Sequence, residues 1–524
     1  MDTLLDIRAI TDKQNFLNPP KTDDLLKNFP REFLTSLETA KEIIIQEIAK
    51  NTKIIIYGDY DADGICATTI LYKTIHDELG YTNVSYFIPN RFDNGYGLSI
   101  GAIESLNLEN PCLFITVDTG ITAAAEAAYI KERGHKLIIT DHHQKTVQIP
   151  ETDCLVWEDS IVGSTVAWLL AKTLGSHDMD FKTYAAIATV TDLFPLLGFN
   201  RSLVKEGLEQ LNSNPPASIK SLLTASGKVL TEITTYDIGW IIGPRLNASG
   251  RLADAEKSLH LLLANNEQDS NTIAVELNEV NMQRQTKTSE TYDLVSVSFD
   301  NELPNIIVSS HESYHEGIIG LVAAKLSQQY YRPAIVISLN EKFGKGSVRS
   351  IPGIDIISVL QKYSHLFVNL GGHPMAAGFT ISKENIPALT QNLTDFFENS
   401  LDKNLLIPSV NIDLEIPLNI INLNFIKELA ALRPFGLGNT EPLFVSKNVT
   451  VTSVNAVGKE GSHLALRLLG GDTFYKGIFF SANSYSKDVT IGDKVDIVFS
   501  AKHSEYNGKT YPEIVIKDLR KSNA

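Results

Sequence analysis

Lys53-Ile54-Ile55-Ile56-Tyr57-Gly58-Asp59-Tyr60-Asp61-Ala62-Asp63-Gly64 decides the fold: a β-branched run ends in a glycine and three alternating acids. Three similar short runs follow at 113–117 (LFITV), 136–140 (KLIIT) and 154–157 (CLVW), separated by segments long enough to hold helices. The alternation predicts an α/β fold with a parallel sheet. Open parallel sheets bind ligands beyond the carboxyl ends of their strands. Here the first three runs lead at once into Asp59, Asp61 and Asp63, into Asp118, and into Asp141, His142 and His143, so one rim collects the chemistry.

Gly58 to Gly64 begins like an EF-hand loop, but its twelfth position, counted from Asp59, is Ile70 instead of Glu, and a strand precedes it. Three carboxylates in five residues repel one another unless a cation compensates them, so the segment reads as metal-binding and not as a solvated turn. Asp118, His142 and Asp192 extend the set to mainly oxygen donors with one nitrogen, which suits Mn²⁺ or Mg²⁺ better than a structural zinc. This many acids can hold two ions, the arrangement that hydrolyses phosphodiesters.

Composition narrows the class. The chain has 524 residues, too many for one core, and 43% hydrophobic against 21% charged residues, which excludes a disordered or fibrous chain. No apolar run approaches the roughly twenty residues that span a bilayer, and Asp2, Asp6 and Arg8 interrupt any secretory signal, so a cytoplasmic protein without a membrane segment is expected. Cys66, Cys112 and Cys154 are too scattered for a disulfide framework or a thiolate zinc site. The net charge of −16 argues against a polyanionic partner, yet residues 411–524 hold 13 Lys plus Arg against 12 Asp plus Glu, so the acidic excess lies upstream, where metal ligands account for part of it.

Four regions are expected: a catalytic domain with an N-terminal extension (1–265), a helical connector (266–298), a second α/β domain (299–400) and an OB-type β-barrel (401–524). The connector is polar, free of Pro and Gly, and carries Ile273, Leu277 and Val280 at helical spacing. Two glycine-rich segments of the second domain, GKGSVRS at 344–350 with Ser347 and Arg349, and GGHPMAAG at 371–378 with Gly371, Gly372 and His373, read as phosphate-cradling loops. Arg245, Asn247 and Arg251 read as a basic patch on the substrate path or as structural ion pairs. His311-Glu312-Ser313-Tyr314-His315 matches the zinc-protease pattern H-E-x-x-H, but it directly follows a strand; His315 and Glu316 then read as loop residues facing the cleft. In the barrel, Tyr475, Phe479, Phe480 and Tyr506 with Lys476, Lys502 and Lys509 offer the mixture on which single strands stack, about half of the rings being expected in the core.

GDYDADG at 58–64, PNRFDNGYGL at 89–98, ITVDTGI at 115–121, TDHH at 140–143 and IGPRLNASGRL at 242–252 resemble the successive motifs of the DHH phosphoesterases, most closely their RecJ exonuclease branch. The resemblance continues through YHEGIIG at 314–320, GKGSVRSIPG at 344–353, GGHPMAAGF at 371–379 and LRPFGLGNTEPLF at 432–444. It implies a 5′→3′ exonuclease on single-stranded DNA that works in repair and recombination, acts as a monomer and meets a single-strand-binding protein and a helicase. It implies Asp61, Asp63, Asp118, His142 and Asp192 as metal ligands, Asp63 and Asp118 as bridges, His143 facing the scissile phosphate and Asp141 orienting the imidazoles. Tyr57 stands where many relatives carry a metal-binding His, which leaves Asp59 as a substitute ligand, and Asn94 stands where Glu is common. Two other readings are a phosphodiesterase on short oligonucleotides or cyclic dinucleotides, which needs no barrel, and a non-catalytic replication scaffold, against which the intact acids weigh.

Overall fold

The computed structural model describes residues 1–90, 97–229, 231–299, 303–458, 461–482, 489–506 and 508–522, which form two compact units. One unit comprises residues 31–191 and 214–409; the other comprises 1–30, 192–213 and 410–524.

The first unit opens with five parallel strands, β1 (Ile54–Tyr57), β2 (Val84–Phe87), β3 (Leu113–Val117), β4 (Lys136–Asp141) and β5 (Cys154–Trp157), in the order β2-β1-β3-β4-β5. Strands β1 and β3 are buried at every residue, as strands covered on both faces must be, which is why they read as unbroken apolar runs. Edge strand β2, Val-Ser-Tyr-Phe, is mostly half-buried and carries no such run; the sequence reading missed it. The chain leaves β1 toward β2 on one side and returns to β3 on the other, so a crevice opens between the ends of β1 and β3. Helices Ala62–Lys73 and Gly163–Thr173 pack together beside it, the first buried from Ala62 to Leu71 and the second from Gly163 to Ala171. Both are internal helices, and among the described residues no helix is long and apolar enough to cross a membrane.

The connector is a helix, Glu267–Ser296, capped by Asn266, whose side chain accepts the Asp269 N–H at 2.8 Å. Of the three apolar residues expected to anchor it, only Leu277 is fully buried; its neighbours on the buried stripe are Ser270, Ala274, Asn281, Thr291 and Val295. Beyond it, β6 (Ile307–His311), β7 (Ala334–Leu339), β8 (Phe343–Arg349), β9 (Phe367–His373) and β10 (Ala376–Ser382) form a sheet in the order β6-β7-β8-β10-β9, parallel only between β6 and β7. Strand β7 alternates Ala334 and Val336 toward the core holding helix Ile319–Tyr330 with Ile335 and Ile337 toward the core holding helix Ile386–Asn399. The H-E-x-x-H stretch begins at the last residue of β6 and ends before helix Ile319–Tyr330, so its imidazoles share no helix face.

The second unit is a barrel. Strands β11 (Leu414–Glu415), β12 (Phe444–Val457), β13 (His463–Gly470), β14 (Thr473–Phe479), β15 (Lys494–Tyr506) and β16 (Lys509–Lys521) run in the order β11-β12-β13-β14-β16-β15, and a β12–β15 pairing closes five of them on themselves. Tyr475 and Phe479 point into the core, at 3% and 5% exposure, while Phe480 stays half exposed; the side chain of Tyr506 lies outside the described residues. Lys476 and Lys502 both reach Glu513, at 3.5 and 3.3 Å. Phe474 beneath the Arg467 guanidinium, 4.4 Å from its ring centre, and exposed Tyr511 are surface rings that alternation alone did not single out.

Residues 1–30, expected with the catalytic domain, instead send Leu4, Leu5 and Phe16 into the barrel's core, and residues 192–213 join them. Residues 401–409, expected with the barrel, belong to the first unit, where Leu406 is buried among the second sheet's apolar residues. Arg201 binds the pieces of the second unit. It is 1% exposed and donates from Nε to Phe16 O (2.8 Å), from Nη1 to Pro434 O (3.3 Å) and from Nη2 to Leu432 O (3.0 Å) and Arg433 O (2.8 Å). The L-R-P-F segment is thus a structural turn folded around a buried guanidinium. Arg201→Met leaves these carbonyls without a donor, at about 1–3 kcal/mol for each one that finds no water; the expected outcome is a fall of at least about 3 kcal/mol in urea unfolding of the second unit, and an unchanged midpoint would contradict the assignment.

Candidate metal centre

Asp61 ends the β1 loop as the N-cap of helix Ala62–Lys73, its carboxylate accepting from the N–H of Asp63 (2.9 Å) and Gly64 (3.1 Å). Gly64 is required there, since a Cβ would stand 2.5 Å from the Asp59 carbonyl oxygen. Asp63 points the other way, to the start of helix Gly163–Thr173, and accepts from Gly163 N (2.8 Å), Ser164 N (2.7 Å) and the Ser164 hydroxyl. These donors lie a hundred residues away, so sequence reading missed them; a glycine and a serine opening a helix after β5 were the only signal.

Asp118 follows β3 with φ at 60°, a left-handed conformation that Asp tolerates better than most residues. Gly163 lets it approach, because a Cβ there would stand 2.6 Å from Asp118 Oδ1. That oxygen is buried without a hydrogen-bond partner among the described residues, and it lies 3.0 Å from His142 Nε2. Burial, compounded by the charges of Asp63, Asp61, Asp59 and Asp141, raises the Asp118 carboxyl well above its ordinary range, and burial with Asp63 raises Asp61. Negative charge is crowded here beyond what the side chains can neutralise, and a cation would offset it.

Asp141 behaves differently. Burial would raise its pKa, but the His143 ring and the backbone N–H groups of Ile121 and His143 bind the carboxylate and hold it below the ordinary value. His143 Nδ1 lies 2.8 Å from Asp141 Oδ1, and its side chain remains 39% exposed. Burial lowers the pKa of His142 and so favours the neutral imidazole that ligates metals. Trp157 donates its indole N–H to His143 O at 2.8 Å, and Lys145 covers the Trp157 ring, which pins the loop.

Two donor sets lie wholly within the first unit. One oxygen each of Asp59, Asp61 and Asp118 lies within 4.8 Å of the others, and so do ligand atoms of Asp118, His142 and His143. Asp118 belongs to both. Asp192 is the residue directly after helix Met179–Thr191, which packs on helix Ala62–Lys73, and it is the first residue of the chain's return into the barrel unit. Tyr57 is fully buried and donates its hydroxyl to Gly97 O at 3.1 Å, a core role. Asn94 and most of the 89–98 motif lie outside the described residues.

The expected basic patch sits on helix Gly243–Leu252. Asn247 accepts the Ala62 N–H at 2.8 Å and so braces the metal loop. Arg245 is buried and donates to Asn278 Oδ1 and Ile241 O, not to an acid. The carbonyl of Arg251 lies where a Cβ of Gly317 would be, which brings the His315–Gly317 segment of the second sheet's domain against this helix. His315 Nδ1 accepts the Gly317 N–H.

The two glycine-rich segments are not loops. Ser347 and Arg349 lie on β8, paired on both sides by β7 and β10, so their backbone N–H groups serve a ladder and cannot cradle a phosphate. The glycines make room: a Cβ on Gly346 would enter the Phe379 ring, 2.1 Å from its nearest carbon. Gly371, Gly372 and His373 end β9, an edge strand, and remain exposed. Only side chains of β8 and the free edge of β9 can meet a ligand.

Residues 53–191 match the DHH family N-terminal domain, 303–399 the DHHA1 domain and 412–518 the RecJ OB domain. The chain is 32% identical over 499 residues to the single-stranded-DNA-specific exonuclease RecJ of Bacillus subtilis, covering 93% of this chain and 63% of that protein. It is 31% identical to the Thermus thermophilus RecJ over 94% of this chain and 72% of that one. The crystal structure of the Thermus thermophilus protein in complex with Mn²⁺ superposes with a TM-score of 0.84 at 29% identity, over all of this chain and 76% of that one. The chain belongs to the RecJ family of single-stranded-DNA-specific exonucleases.

Proposed function

We propose that this chain is a divalent-metal-dependent exonuclease that hydrolyses single-stranded DNA from the 5′ end and releases mononucleotides. The observation that carries the reading is Asp118, shared by two donor sets in the crevice of a parallel sheet. Asp59, Asp61, Asp63, Asp118, His142 and Asp192 would hold two ions, Mn²⁺ or Mg²⁺. Such ions, when bound, activate water and stabilise the leaving oxygen of a phosphodiester. Asp141 accepts the Nδ1–H of His143 and thereby presents Nε2 to the scissile phosphate. Arg349 and Ser347 on β8, with the β9 edge at Gly371, Gly372 and His373 and with His315, would seat the 5′ end; Asn247 positions the metal loop, and Arg245 and Arg251 face the strand. The barrel supports long single strands as the substrate over cyclic dinucleotides. A cytoplasmic monomer that receives its strand from a helicase and a single-strand-binding protein fits this reading.

Asp118→Asn tests the shared ligand. Mn²⁺ is expected to raise the melting temperature of the wild type and not of the variant, because a ligand that binds only the folded state stabilises it. Without metal the variant melts no lower than the wild type, having lost one of several repelling charges, and its turnover falls by about 10²-fold or more. Retained turnover would remove the two-ion mechanism.

Arg349→Ala tests end recognition. A hydrogen bond from Arg to phosphate is worth about 1.5–3 kcal/mol, so affinity for 5′-phosphorylated ends drops by about tenfold or more and affinity for 5′-hydroxyl ends drops less. The check is competition between the two end types at fixed salt; equal weakening of both would make Arg349 a general contact.

A further inference from the structure

The connector helix Glu267–Ser296 holds a buried polar group that the metal chemistry leaves unused. Asn281 is fully buried, and neither its Nδ2 nor its Oδ1 has a hydrogen-bond partner among the described residues. One turn on, Arg284 is half-buried with its Nε equally unpartnered. Arg245 of helix Gly243–Leu252 reaches the same region, donating to Asn278 Oδ1 at 3.0 Å. No carboxylate pairs with either arginine among the described residues, and burial lowers the pKa of both, with Arg284 lowering Arg245 further. Buried polar groups are almost always satisfied, and a buried cation without an anion is costly. Two such cations and an orphaned amide together describe a site that wants an anion.

Its place on the fold says which one. Asn247, two residues after Arg245 on the same helix, holds the metal loop through Ala62 N, and the connector helix packs against helix Ile319–Tyr330 of the second sheet's domain. The group therefore sits between the metal rim and the second sheet's domain. We propose that Arg284, with Arg245 beside it, holds a backbone phosphate of the DNA strand beside the metal centre, the phosphate oxygens taking N–H groups of the Arg284 guanidinium while a bridging water links them to the buried amide of Asn281. This rests on the nuclease reading above.

The test is equilibrium binding of a labelled single strand to the full chain, without metal, over a range of KCl concentrations. Each phosphate contact contributes about 0.7 to the slope of log affinity against log salt on single strands. Arg284→Met is expected to lose about 0.7 of that slope and about tenfold in affinity, and Arg284→Lys to keep the slope with weaker binding. Asn281→Leu, which removes the orphaned amide, is expected to weaken binding several-fold without lowering the melting temperature. An unchanged slope in Arg284→Met, whatever its affinity, overturns the proposal. Should that variant fail to fold, unchanged affinity in Asn281→Leu overturns it. A wild type that neither binds nor cleaves single strands sinks the nuclease reading itself, whereas wild-type binding with unaltered mutant slopes sinks only this site.

Discussion

Mutual repulsion among buried carboxylates is the constraint around which the first unit is built. Asp59, Asp61, Asp63, Asp118 and Asp141 meet at the crevice between β1 and β3, and the fold answers three of them with different donors. Asp61 caps one helix, Asp63 binds the first turn of another, and Asp141 gathers three backbone N–H groups and an imidazole. Each arrangement uses amide dipoles to stabilise one negative charge, and each depends on a glycine or a turn at close range. Asp118 Oδ1 receives no such donor and its residue is held in a left-handed backbone, so a negative charge there is the least compensated of the set. The separation of roles is electrostatic: some carboxylate oxygens are anchored by the protein's own donors, and others remain open to cations.

Legibility followed the range of the forces involved. The runs that became β1, β3 and β4 were visible because parallel strands covered on both faces need consecutive β-branched residues; at the two edges, β5 still showed through its apolar Cys-Leu-Val-Trp, whereas β2 carries no such run. The acid cluster was visible because three carboxylates in five residues have no benign explanation. The partners that hold those acids were not, since Gly163 and Ser164 reach Asp63 across a hundred residues. The second domain's glycines misled because glycine serves turns and close packing alike, and only the Phe379 ring over Gly346 tells them apart. Asn281 and Arg284 drew no notice in a polar helix; the burial of Asn281 and half-burial of Arg284 belong to the helices packed around them and not to the local pattern.

Charge placement reconciles an acidic protein with a polyanionic partner. The cations proposed for the strand are few, Arg245 and Arg251 on one helix, Arg284 beside Arg245 on the connector and Arg349 on β8, and they form no long basic stripe. A handful of phosphate contacts set in an acidic surround gives weak general attraction and leaves recognition to geometry. Such a surface discriminates against polyanions that merely pass by, and it favours a flexible strand that can thread from one contact to the next.

The barrel unit is assembled from three stretches of chain, with Leu4, Leu5 and Phe16 sharing a core with residues beyond Ile416 and Arg201 tying both to the L-R-P-F turn. During synthesis these first helices emerge some four hundred residues before the strands that cover them. The α/β unit has its whole length available before the barrel strands are made, so it is free to fold while the opening helices still expose their leucines. Order of manufacture is thereby written into topology: the α/β unit is complete first, and the unit that includes the barrel can close only once its last strands join the opening helices.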